Sequence, residues 1–175
     1  MNIAYRLNIA LAISLLSLCC RTAEVSGEFI NEARSLVQTT SQLGRLVERI
    51  NSRVDYQNFG PELVKAKLAA DDLFDKHNAT AVAGFEEEMN KAITAYLDLF
   101  DIMNAKYSHA IDSLPRGSEL ALRLAGRYPE LSEGKSITDV EIDVKEALRV
   151  VRRAASRHVR RADELLSSYL ERAKR

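Results

Sequence analysis

Residues 29–54 read FINEARSLVQTTSQLGRLVERINSRV, and this stretch decides the fold class. Its apolar or small residues recur in alternating steps of four and three, the seven-residue repeat that keeps one face of a helix on a neighbour. The members of the repeat are Phe29, Ala33, Leu36, Thr40, Leu43, Val47, Ile50 and Val54. Ile30, Val37 and Leu46 widen this face. A wide apolar face is typical of a helix in a bundle rather than in a two-stranded coiled coil.

Helical patterns follow through most of the remaining chain. Pro61 is suited to a first helical position, and it predicts the start of a second helix there. A third helix is predicted over residues 85–114, and a brief one over residues 118–127. No segment alternates with period two for long enough to predict a strand.

The last helix is predicted to open at Thr138, which forms a capping-box pattern with Glu141. Its apolar side repeats at Leu148, Val151, Ala155, His158, Ala162, Leu165 and Tyr169. These patterns together predict an all-α protein, an elongated up-and-down bundle of four to five amphipathic helices.

The N-terminal residues 1–27 have the pattern of a secretory signal peptide: one basic residue, then a short apolar run, then small residues. The run over residues 7–20 is shorter than the roughly 20 residues that span a membrane. Cleavage is predicted between Gly27 and Glu28, and a cut after Cys19 is a second candidate. A lipoprotein signal ending at Cys19 or Cys20 and a buried N-terminal helix are the alternatives. The prediction is a secreted chain with one domain over residues 28–175 and no transmembrane segment.

Composition excludes several kinds of function. The chain has 175 residues, and 25 Lys and Arg balance 25 Asp and Glu, so bulk charge gives no reason to expect nucleic-acid binding. Both cysteines, Cys19 and Cys20, precede the predicted cut, which leaves the mature chain without a thiol nucleophile, a zinc–cysteine site or a redox pair. About 150 residues suffice for a hydrophobic core without disulfides.

Signatures of catalysis are missing from the sequence. A di-iron bundle needs Glu three residues before His, whereas Phe74, Lys106 and Ala155 precede His77, His109 and His158 at that spacing. No zinc helix, nucleophile elbow or phosphate-binding glycine loop is present. The sequence therefore predicts a protein that is not an enzyme and that has no catalytic residue, cofactor or metal site.

Charge is segregated along the chain. Residues 71–101 carry eight acids against two lysines, whereas residues 145–175 carry ten bases against four acids. Six arginines without an intervening acid form what we call the basic ridge: Arg149, Arg152, Arg153, Arg157, Arg160 and Arg161. At about 100° per residue, Arg149, Arg153 and Arg160 point away from the apolar side. The ridge is a candidate site for an acidic protein, a glycosaminoglycan or a lipid surface, and its alternatives are a solvated face or pairing with the acidic helices.

Two single residues are further candidates. His158 falls on the apolar side of the last helix, where it is either a histidine at the core edge with one hydrogen bond or a pH switch. Asn78 begins an Asn-Ala-Thr sequon and is a candidate for glycosylation.

Two classes of function agree with these patterns. The first is a secreted binding protein that engages a macromolecule through the outside of a solid bundle. The second is a lipid carrier, since the chain resembles the class of exchangeable apolipoproteins in its secreted, cysteine-poor, amphipathic helices, without a shared motif. Leu, Ile, Val and Phe in the first helix favour close packing, whereas Ala, Met and Tyr in the third are compatible with a cavity.

Overall fold

The structure, a computed structural model, describes residues 26–50, 53–77, 82–132, 134 and 136–174. Its five helices are α1 (Gly27–Arg49), α2 (Arg53–Lys76), α3 (Phe85–His109), α4 (Glu119–Arg127) and α5 (Val144–Ala173). Two 3-10 turns, Pro129–Leu131 and Ile137–Asp139, join α4 to α5. The predicted all-α class is confirmed. Almost all of the predicted signal peptide lies outside the described residues. Asn78, the candidate for glycosylation, also lies outside them.

The four long helices run up and down around one core. The start of α1 meets the end of α2, where Lys76 Nζ lies 2.5 Å from Glu28 Oε1. The start of α2 meets the end of α3 through the rings of Tyr56 and Phe100, whose centroids are 5.0 Å apart. The start of α5 returns to the end of α3, and α5 also packs along α1. Each neighbouring pair is therefore antiparallel, and α5 alone is about 45 Å long.

Helix α1 buries the face that its repeat predicts. Six members of the repeat, from Phe29 to Val47, are buried, and Ile50 is the capping residue. The Thr40 hydroxyl donates to the Leu36 carbonyl oxygen at 2.7 Å, so its burial leaves no polar group unpaired. The helix ends at Arg49, before Val54, and the flanking Leu46 is 37% exposed.

The prediction that Pro61 opens the second helix is wrong, because Pro61 lies inside α2. The exposed proline removes one backbone hydrogen bond from the helix, which costs about 3 kcal/mol. Tyr56 and Phe59 precede it and are 6% and 1% exposed, packed against aromatic rings of α3. Burial of two aromatic side chains offsets the lost bond, since each contributes about 1.5–3 kcal/mol.

The boundaries of the third and last helices also differ from the predictions. Helix α3 ends at His109 rather than near residue 114, and Ala110 adopts the left-handed conformation with φ 53°. Two short strands, β1 (Ser113–Leu114) and β2 (Ile142–Asp143), then pair antiparallel. Pairing holds residues 142–143 extended, so α5 cannot begin at Thr138. The Asp143 side chain caps α5 instead, accepting from the Glu146 backbone N–H at 2.8 Å.

The tightest part of the core lies between α3 and α5. Four small or branched residues of α5, Ala147, Val151, Ala155 and Ala162, are 0% exposed. Because alanine is small, it lets the two backbones approach closely. On the α3 side of this contact, Met89, Tyr96 and Met103 are also fully covered. His158, Leu165 and Tyr169 lie at the edge of this face rather than inside it. None of the helices in the described ranges is long and apolar enough to cross a membrane.

Candidate anion-binding surface

Helix α5 displays the basic ridge because its opposite side is buried. The interior positions recur every three or four residues, which leaves the arginine positions between them directed outward. Five of the six arginines are exposed, and Arg152 is half-buried. Arg149 and Arg160 expose 48% and 75% of their side chains.

Five arginines of the ridge line one shallow concave surface, which we call the arginine groove. Its walls are Arg149, Arg152, Arg153, Ser156, Arg157 and Arg160, and its volume is about 450 Å³. The groove follows the axis of α5 for about 16 Å between Arg149 and Arg160. Arg161 is exposed but does not line the groove.

Two arginines of the groove form ion pairs with carboxylates of α5, and the charge of one of these carboxylates, Glu146, also acts on Arg153. Arg149 Nε donates to Glu146 Oε2 at 2.7 Å, and a second guanidinium nitrogen donates to the other oxygen. This bidentate pair raises the pKa of Arg149 and lowers that of Glu146. Arg160 Nε lies 3.8 Å from Glu164 Oε1.

The remaining arginines of the ridge are not neutralised by the acidic helices. In the part of the chain that the structure describes, no carboxylate forms an ion pair with Arg152, Arg153, Arg157 or Arg161. Two acids of α3 illustrate the other partners that its carboxylates have: Glu87 bonds Lys91 at 2.6 Å, and Asp98 bonds Arg127 at 2.6 Å. The ridge therefore retains positive charge that is available to an outside anion.

His158 joins α5 to α3. Its Nδ1 lies 2.7 Å from Glu88 Oε2, and the two side chains are 27% and 18% exposed. The histidine therefore lies at the edge of the core with a hydrogen-bond partner across the helix interface.

A second concave surface, which we call the α3–α5 cleft, lies between α3, the 3-10 turn after α4, and α5, with a volume of about 740 Å³. Its apolar lining consists of Ala95, Tyr128, Pro129 and Ala154. Polar residues complete it: Glu87, Asn90, Lys91, Thr94, Arg127, Glu130, Arg157 and His158. Sequence patterns did not reveal this cleft, because its three walls come from separate parts of the chain.

One buried carboxylate holds the third wall of the cleft in place. Asp98 of α3 is 2% exposed and accepts hydrogen bonds from Arg127 Nη1 at 2.6 Å and from the Tyr128 hydroxyl at 2.8 Å. Arg123 is paired with both Asp98 and Asp101. Burial and the Asp98 charge raise the pKa of Tyr128, so the phenol stays protonated and donates this bond. The wall is preformed.

Histidine and acidic side chains elsewhere in the described ranges can be placed by their contacts. Within them, no group of three or more His, Cys, Asp or Glu side chains is arranged to hold a metal ion. His77 interacts with Glu32 at 2.9 Å and with the ring of Phe29, which assigns it to the α1–α2 interface.

No protein-family model, curated protein or solved structure matches this chain.

Proposed function

We propose that this chain is a secreted, non-enzymatic binding protein whose arginine groove holds an extended polyanion, with a sulfated glycosaminoglycan as the preferred class. The observation that carries the proposal is a row of guanidinium groups in one groove, of which Arg152, Arg153 and Arg157 form no ion pair with a carboxylate in the described part of the chain. Guanidinium groups donate planar, paired hydrogen bonds that fit sulfate and carboxylate oxygens.

The energetic cost of placing several arginines close together on α5 also supports a binding function. Like charges one turn apart on a helix destabilise it by a few tenths of a kcal/mol per pair, and Arg149, Arg153, Arg157 and Arg160 form such a series in the groove. Solubility alone is served better by mixed Lys and Glu. A function that uses the concentrated charge accounts for it.

The lining of the groove favours a polyanionic glycan over the other two partners. Arginine and serine make up the whole lining. A protein interface has an apolar centre, and a helix that lies on lipid inserts apolar side chains between the head groups. No apolar residue lines the groove.

A charge-matched pair of variants tests the proposal. The first carries Arg149→Gln, Arg153→Gln and Arg160→Gln in the groove. The control carries Arg34→Gln, Arg116→Gln and Arg161→Gln, which remove the same charge from exposed positions outside the groove. Exposed ion pairs contribute about 0.2–1 kcal/mol each, so the first variant should bind heparin oligosaccharides about 10-fold more weakly in calorimetry. Both should keep the parental melting temperature.

The salt dependence supplies a second measure. Charges at this surface are screened over about 8 Å at physiological ionic strength, so the affinity of the parent should fall steeply with salt and that of the groove variant less so. Equal losses in the two variants would show that net charge, not the groove, holds heparin. Binding to anionic vesicles or to an acidic protein in the absence of heparin binding would refute the preferred class.

A further inference from the structure

We infer that the α3–α5 cleft is a second binding site, for a small amphipathic monoanion whose charged group pairs with Arg157 and whose apolar body lies against Tyr128 and Pro129. This site goes beyond the proposed function and takes a different class of ligand. Its volume of about 740 Å³ falls within the roughly 300–1,000 Å³ of small-molecule sites.

The shape of the cleft comes from small side chains opposite a fixed wall. Ala95 of α3 and Ala154 of α5 leave space where larger residues would fill the gap between the helices. Tyr128 and Pro129 form the opposite wall, and the bonds of Arg127 and Tyr128 to Asp98 hold it. A ligand would enter a site that already exists, so little ordering would oppose its binding.

The charged residues that line the cleft favour a ligand with a single negative charge. Lys91 is paired with Glu87, and Arg127 is paired with Asp98. Arg157 and Glu130 also line the cleft, and neither forms an ion pair within the described residues. The lining therefore carries one unpaired positive charge, on Arg157, and one unpaired negative charge, on Glu130. An anionic group can pair with Arg157, whereas a second one would meet Glu130. The apolar lining accounts for the rest of the ligand.

Two probes with the same apolar body, one anionic and one neutral, separate the contribution of Arg157 from that of the apolar lining. Anilinonaphthalene sulfonate carries one negative charge, and N-phenyl-1-naphthylamine is its neutral counterpart. We expect the parent to bind the sulfonate saturably with one site per chain, and about 10-fold more tightly than the neutral probe. Arg157→Gln should abolish this preference, whereas Arg161→Gln, one turn further along the same helix, should preserve it.

A second pair of variants tests the location. Thr94 lines the cleft and is half-buried, so Thr94→Trp should fill the cleft and weaken both probes at least 10-fold. Leu97 is 39% exposed on the same helix outside the lining, and Leu97→Trp is the control. Asn90→Trp, at an exposed lining position, replaces Thr94→Trp if the latter melts early.

The result that overturns the inference is unchanged probe affinity in a folded Thr94→Trp or Asn90→Trp variant. Equal affinity of the two probes for the parent would overturn the anionic class. Neither tryptophan variant should alter retention on heparin, because neither residue lines the arginine groove. Arg157 lines both sites, so the tryptophan variants, and not Arg157→Gln, distinguish a failure of one proposal from a failure of the other.

Discussion

Replacing Gly44 by alanine should destabilise the bundle, although alanine is the better helix former. Gly44 lies within α1, and a Cβ atom built on it would be 2.9 Å from the hydroxyl oxygen of Tyr96, short of the ordinary contact distance of 3.4 Å. Tyr96 is 1% exposed, and its ring packs on Phe59 with centroids 6.4 Å apart. The hydroxyl cannot move away unless the ring shifts in the core.

The expected magnitude is the difference between two effects. Alanine gains about 1 kcal/mol over glycine in a helix interior. Overpacking a core costs about 1–3 kcal/mol. The net expectation is a loss of about 1 kcal/mol in the free energy of unfolding, measured by urea denaturation with circular dichroism.

Two controls isolate the contact. Gly126 lies in α4, and its Cβ would meet no atom within 4 Å, so Gly126→Ala should stabilise the protein by about 0.5–1 kcal/mol. Tyr96→Phe removes the clashing oxygen, so Gly44→Ala should become stabilising on that background. The reasoning fails if Gly44→Ala stabilises the parent as much as it stabilises the Tyr96→Phe variant.

Three further predictions follow from the core and the N-terminus. Leu43→Ala and Phe100→Ala should each lower the free energy of unfolding by roughly 2–5 kcal/mol, and a loss below about 0.5 kcal/mol would indicate that these faces contact something other than protein. Burial, with a smaller contribution from the nearby Glu48 charge, raises the pKa of Tyr96 to about 12, so the folded state keeps a proton that the unfolded state releases near pH 10. Stability should therefore fall by about 1 kcal/mol between pH 10 and 11, and Tyr96→Phe should reduce that loss. N-terminal sequencing of the protein from its source should find Glu28 first, and retention of Met1 would contradict the predicted signal peptide.

The helices could be predicted because their signal is local. Helices α1, α3 and α5 each carry their own apolar repeat, and the Ser118 cap of α4 is the first residue of the brief helix predicted over residues 118–127. Boundaries were predicted less well where a distant contact overrode a local preference. Pro61 lies inside α2 because residues before it pack against α3, and Thr138 lies outside α5 because β2 pairs with β1.

For the basic ridge, too, part of the arrangement could be predicted from the sequence and part could not. Helical periodicity places Arg149, Arg153 and Arg160 on the outer side of α5, where the structure has them. Which arginines share a groove is decided by the directions of whole side chains, and Arg161 was grouped with the others because it is adjacent in sequence. Among the described residues, Asp98 and Asp101 pair with arginines of α4 and not with those of the ridge, and this choice of partner depends on where α4 packs.

The sequence by itself determined the helical class, the buried faces of α1 and α3, and the separation of acidic from basic segments, because periodicity and charge order are properties of neighbouring residues. It did not determine the buried face of α2, where the apolar Val64 and Leu68 are 57% and 56% exposed. Only the tertiary structure decided the α3–α5 cleft and the partners of Asp98. Those features join residues about 30 to 60 positions apart, such as Asp98 with Tyr128 and Thr94 with Ala154. Such distances depend on how helices of 9 to 30 residues pack against one another, and no pattern within a single helix encodes that packing.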